Sequence, residues 1–226
     1  METFPAERTT LKAPAGELPA LWRAPAEPRA LLALAHGAGA GMEHAFLEAL
    51  SAALAAEGVA TLRYAFPFTA RGGRRPDPPA LLEATVRAAA AAARERAPEL
   101  PLLAGGKSLG GRMSSRAQAA AALPGVCGLV FFGFPLHPPK RPGRERAAHL
   151  AQVALPMLFL QGTRDSLADL AELRPVCEAL GGRAVLHVIE GADHGFHVPK
   201  RSGRDDASVI AELARVTASW AAALPV

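Results

Sequence analysis

The segment Gly106-Lys107-Ser108-Leu109-Gly110 sets a serine between two glycines. A serine hydroxyl is a weak nucleophile near neutral pH and needs a base within hydrogen-bond reach, a duty that histidine, titrating near pH ~6.5, can perform. Two further segments supply partners in chain order: Gly162-Thr163-Arg164-Asp165 and Gly191-Ala192-Asp193-His194-Gly195. In the chemistry this order suggests, Ser108 attacks an acyl carbon and His194 takes and returns the proton. Asp165 accepts the other ring N–H and stabilises the imidazolium. Asp193 and Asp169 are rivals for the acid's place. Asp193 adjoins the histidine and Asp169 lies a turn into the following helix, whereas Asp165 directly follows a strand-like run, the position such an acid occupies.

The developing oxyanion needs two donors. The backbone N–H of Leu109, next to the serine, is one. The second is expected from the loop His36-Gly37-Ala38-Gly39-Ala40-Gly41, whose small residues let backbone amides approach a substrate; Ala38 is the first choice and Gly39 the second. Lys107 is expected to line the mouth of the pocket and contact substrate.

A lone Gly-x-Ser-x-Gly is weak; its setting strengthens it. Short apolar runs ending in Gly, Pro or His alternate with Ala-rich helical stretches, the pattern of a parallel sheet with crossover helices, so the fold class is α/β. Strands are predicted at Ala30 to His36, Val59 to Tyr64, Leu100 to Gly105, Val126 to Phe132, Met157 to Gln161 and Val185 to Glu190. Helices are predicted at Glu43 to Glu57, Pro79 to Arg96, Leu109 to Ala122, Arg144 to Gln152, Ser166 to Leu180 and Asp206 to Ala223. The strands are almost continuously apolar, as in sheets covered on both faces. Prolines at 5, 14, 19, 25 and 28 break up the first 29 residues, where Leu18 to Arg23 is read as a short edge strand. The serine segment thus joins a strand to a helix, and residues 1–226 are read as one domain.

Four stretches carry a family resemblance: Gly-Lys-Ser-Leu-Gly-Gly-Arg at 106–112, Phe-Phe-Gly-Phe-Pro-Leu-His-Pro-Pro at 131–139, Leu-Gln-Gly-Thr-Arg-Asp at 160–165 and Asp-His-Gly-Phe-His-Val-Pro-Lys at 193–200. From about Leu31 to the last helix the chain resembles a small α/β-hydrolase. Together the four stretches resemble a group that includes testis-expressed hydrolase-like proteins and a subunit of the non-specific-lethal histone acetyltransferase complex, with dienelactone-hydrolase-like enzymes as more distant kin. The resemblance implies a mostly parallel central sheet with helices on both faces, and leaves the substrate open. Between Phe134 and Met157 there is room for a loop and about one short helix, not for a lid domain. The pocket that remains suits a soluble ester, thioester or related acyl compound.

Composition narrows the class further. The chain has 226 residues, is 50% hydrophobic and 20% charged, and carries a net charge of +4, within the range of ordinary globular proteins. Only four of its 25 basic residues are lysines. An arginine and alanine excess of this kind matches a GC-rich coding sequence, and no nucleic-acid partner is expected. No leader peptide or membrane-spanning run is read, so a cytoplasmic protein without a membrane partner is expected. Cys127 and Cys177 lack metal or redox spacing, and no cofactor or metal is implied. His36 is expected to brace the loop that follows it, and His197 to pack at the surface. Gly-Lys-Ser is also the end of a phosphate-binding loop, but that pattern's first glycine would fall on Pro101.

Basic residues follow three strands: Arg71, Arg74 and Arg75; Lys140, Arg141, Arg144 and Arg146; Lys200, Arg201 and Arg204. Such loops share the ligand face of an open sheet and suggest an anionic substrate, although acidic neighbours offset them. The rival to an enzyme is a non-catalytic interaction scaffold that keeps the fold.

Overall fold

The computed structural model describes residues 4–225. Eight strands form one sheet: β1 (Glu7–Ala13), β2 (Gly16–Arg23), β3 (Ala30–Ala35), β4 (Val59–Tyr64), β5 (Leu102–Lys107), β6 (Val126–Phe132), β7 (Met157–Arg164) and β8 (Ala184–Asp193). Their order is β1-β2-β4-β3-β5-β6-β7-β8. The first two strands run antiparallel to their neighbours and the other six are parallel. Six α-helices connect or flank them: α1 (Ala45–Ala56), α2 (Pro67–Ala70), α3 (Pro79–Arg96), α4 (Leu109–Ala120), α5 (Leu170–Leu180) and α6 (Asp206–Ala222).

Every residue of β3 and β4 is buried. Such strands need apolar residues on both faces rather than alternation. On one face Leu82 and Val86 of α3, Met113 of α4 and Leu173 of α5 pack into a core. On the other, Leu47, Leu50 and Leu54 of α1 meet Val209 and Leu213 of α6. No described helix is long and apolar enough to cross a membrane.

The chain leaves β3 for β4 on one side and returns to β5 on the other. Loops from β3 and β5 therefore diverge at their carboxyl ends and open a crevice, the usual ligand position in open α/β sheets. Residues 133–156 hold a loop and a 3-10 segment, Glu145–Gln152, with no lid domain.

Three expectations change. Leu18 to Arg23 belongs to β2, which is not the edge; β1 covers it, with Leu11 the one buried residue of that strand. So weak an apolar pattern does not announce a strand. The segment predicted as a helix from Arg144 is a 3-10 helix, burying only Ala147 and Leu150, a spacing of three that suits that geometry. The helix predicted from Ser166 begins at Leu170, because the Asp169 side chain caps it by accepting from Ala171 N at 2.8 Å.

Candidate active site

Ser108 sits where β5 turns into α4, with φ 51° and ψ −110°. A positive φ is costly for a residue with a side chain and survives only where the surroundings enforce it. Here they do, because strand and helix converge on one carbonyl. A Cβ added to Gly106 would lie 2.2 Å from the Ala35 oxygen of β3, and one added to Gly110 would lie 2.6 Å from the same atom. The Ser108 N–H donates to Phe132 O at 3.2 Å, tying the turn to β6.

The Ser108 hydroxyl lies 2.9 Å from His194 Nε2, and His194 Nδ1 lies 2.7 Å from Asp165 Oδ2. Asp165 accepts two further bonds, from Gln161 Nε2 to Oδ2 at 2.6 Å and from Leu167 N to Oδ1 at 2.8 Å. An acceptor surrounded by donors fixes the ring: Nδ1 carries hydrogen, and Nε2 is free to accept from the serine. The Asp165 side chain is 1% exposed and that of His194 25%, so the carboxylate is shielded while the imidazole can be reached. Asp193 is otherwise engaged, its Oδ1 accepting from Gly195 N at 2.8 Å and His197 N at 3.0 Å. Asp169 is the cap of α5. Gln161, unremarked in the sequence, also accepts from Phe134 N at 3.0 Å and so fixes its amide toward Asp165. Its signal in the sequence was a single polar residue ending the apolar run Met157 to Gln161; the structure buries it fully.

Lys107 lines the cavity beside Ser108, but its ammonium is committed to the carbonyl oxygen of His194. It also lies 5.4 Å from the centre of the Phe196 ring. Burial lowers the Lys107 pKa to about 8, against the pull of Asp165 and Asp193. Gly133, at φ +72°, leaves the room these groups need: a Cβ there would meet Lys107 Nζ at 3.1 Å, Asp165 Oδ2 at 3.4 Å and His194 Cε1 at 3.5 Å.

The loop after β3 is braced by His36 as anticipated. Its Nδ1 donates to Gly37 O at 2.8 Å and its Nε2 accepts from Phe66 N at 3.0 Å. Burial lowers the pKa of this ring, consistent with the neutral form those bonds require. Ala38 and Gly39 then border the same cavity as Ser108 and His194, a space of about 660 Å³. The Leu109 N–H opens α4 and has no intrahelical acceptor. None of the ten basic residues singled out in the three loops lines this cavity. His197 borders it while remaining exposed, paired with Asp206 at 2.5 Å.

A second serine–histidine contact, Ser115 Oγ to His149 Nε2 at 2.7 Å, has a different character. Ser115 lies buried within α4, and burial, with Arg116 and Arg112 nearby, lowers the His149 pKa to about 4. Among the described residues no carboxylate pairs with that histidine.

Residues 28–222 match the model of a family described as the alpha/beta hydrolase domain. The chain belongs to the α/β hydrolase family. Similar solved structures include a serine hydrolase without a lid from Xanthomonas campestris. It is 22% identical, with a TM-score of 0.75 over 100% of this chain and 99% of that one. A dienelactone hydrolase from Anabaena variabilis is 20% identical, with a TM-score of 0.75 over 97% of each chain. An alpha-beta serine hydrolase homologue from Coxiella burnetii is 20% identical, with a TM-score of 0.76 over 93% of this chain and 96% of that one. The likeness is one of fold, a lidless α/β hydrolase, and in this family member the serine, histidine and aspartate meet at the crevice its topology opens.

Proposed function

We propose that the protein is a serine hydrolase of ester-type acyl bonds, with Ser108 as nucleophile, His194 as general base and acid, and Asp165 as its orienting partner. The continuous hydrogen-bonded chain from Ser108 Oγ through the His194 ring to buried Asp165 carries this reading. As Oγ bonds to the acyl carbon its proton passes to Nε2, and the carbonyl oxygen takes up charge facing the Leu109 N–H and the Ala38 or Gly39 N–H. Collapse breaks the bond to the leaving group, which takes the proton from Nε2 and departs as an alcohol or thiol. Water then adds to the acyl carbon and gives its proton to Nε2. That proton returns to Oγ as the carboxylic acid leaves.

We further take residues 1–226 as one cytoplasmic domain. The motifs at 131–139 and 193–200 support a place in the group of testis-expressed hydrolase-like proteins and the non-specific-lethal complex subunit. The test is intact mass after incubation with a fluorophosphonate, which adds a phosphonyl group to an activated serine and releases fluoride. One adduct in the wild type, absent from Ser108→Ala and His194→Ala, is the expected result. No adduct in the folded wild type would favour a non-catalytic scaffold.

A further inference from the structure

We infer that the substrate of this site is an uncharged ester with an apolar chain or ring on one side of the scissile bond, seated in the groove between α1 and α6. The inference rests on the hydrolase reading above and adds the substrate class.

The groove begins at Ser108 and the Ala38–Gly39 loop and follows the amino-terminal turns of the two helices, which pack against each other. From α1 it takes Ala45 and Ala49, one turn apart and both exposed. Their spacing carries the groove roughly 6 Å along that helix. From α6 it takes Ile210, one turn after Asp206. Phe196 forms a wall: its ring stacks on Phe46 with centroids 5.6 Å apart and planes 9° from parallel. Phe196, at φ +65°, is itself buried at 2% exposure and so backs the half-buried Phe46 rather than facing the groove with its whole ring.

The charged groups along the groove already have partners. Lys107 gives its ammonium to the His194 carbonyl, and Asp206 accepts from the exposed His197 ring and from Val198 N at 3.1 Å. The His44 ring accepts from Phe46 N as the cap of α1. A carboxylate on the substrate would meet only Lys107, already held by the His194 carbonyl, and the His197 ring, already paired with Asp206, whose own charge would oppose it, so it would lose hydration for little gain. Apolar surface meets no such penalty. A space of about 660 Å³ lies within the range of small-molecule sites.

The test uses the full chain with p-nitrophenyl acetate, butyrate, hexanoate and octanoate, and with an alkyl acetate series followed by acid release. Fluorophosphonate labelling runs beside them. In one of the two series kcat/KM should rise about two- to fourfold per added methylene up to the groove's length. A mono-p-nitrophenyl glutarate should be at least about tenfold slower than its uncharged pentanoate analogue, because its carboxylate is desolvated without a matching partner. Ala49→Phe, on an exposed helix face, should erase the gain beyond butyrate. Flat profiles in both series, a preference for the charged ester, or an Ala49→Phe variant that keeps the full length dependence would overturn the inference while labelling upholds the hydrolase reading. Absence of labelling would overturn both.

Discussion

Asp165→Asn alters charge and hydrogen bonding with almost no change of shape, and the surroundings of Asp165 set the consequence. Its two oxygens accept from three donors: Leu167 N on Oδ1, and Gln161 Nε2 and His194 Nδ1 on Oδ2. Asparagine offers one oxygen and one NH2. If the oxygen replaces Oδ2, the histidine keeps its tautomer but loses the carboxylate's charge, and the NH2 points at the Leu167 N–H. A charge-assisted bond is worth about 1.5–3 kcal/mol, so labelling should slow by about ten- to a hundredfold. If the NH2 replaces Oδ2, it meets Gln161, whose own oxygen is held by Phe134 N, and the imidazole must adopt the other tautomer. Nε2 then carries hydrogen and cannot accept from Ser108, a loss of about 10⁴. Either orientation sets donor against donor and should cost about 1–3 kcal/mol of stability. The assay is the second-order rate constant of fluorophosphonate labelling by intact mass, with urea unfolding alongside. Asp193→Asn and Asp169→Asn should label within a few-fold of wild type. An Asp165→Asn variant labelling within threefold of wild type, or an Asp193→Asn variant slowed as much, would refute the assignment.

Lys107→Met should slow labelling about tenfold at pH 7 by releasing the His194 carbonyl. The Lys107 ammonium form lies below a pKa of about 8, so the wild-type advantage should shrink, by about fivefold, as pH rises through that value. A ratio independent of pH would count against the clamp. Glu48→Gln strips the carboxylate that pairs buried Arg63 at 2.6 Å and also bonds buried Arg23, and should lower stability by about 1–3 kcal/mol in urea. Burial opposes the Glu48 charge, but hydrogen bonds from Arg23 and Arg63 outweigh it and hold the pKa below its ordinary 4.5. The difference from wild type should therefore be full above pH 4.5 and disappear as pH falls through the lowered value. Gly110→Ala improves intrinsic helix propensity by about 1 kcal/mol, yet it should destabilise the protein by about 1–3 kcal/mol because the new Cβ falls 2.6 Å from the Ala35 oxygen. An unchanged urea midpoint would show that the elbow can relax.

Strands β3 to β8 and most helices were legible because a two-sided buried strand is written locally as an apolar run closed by a breaker. β1 was not, since one buried leucine suffices for an edge strand whose other residues face solvent or its partner. The candidates Ser108, Asp165 and His194 were singled out for the same local reason: each directly follows the end of a strand. The choice of Asp165 over Asp193 was open to argument from position alone, and the structure separates them by what each carboxylate already accepts.

The sequence by itself determined which residue types stand at the carboxyl ends of which strands, and that a serine lies in a turn admitting only small neighbours. Tertiary structure decided the rest. Ser108 and His194 are 86 positions apart and Asp165 and His194 29, so strand order brings them together. The same folding brought the Lys107 ammonium onto the His194 carbonyl, put Gln161 behind Asp165, and left the arginine-rich loops outside the cavity. Local pattern specifies backbone conformation because its causes act between near neighbours. Which side chain spends its charge on which partner depends on distances set only when the sheet has closed its layers.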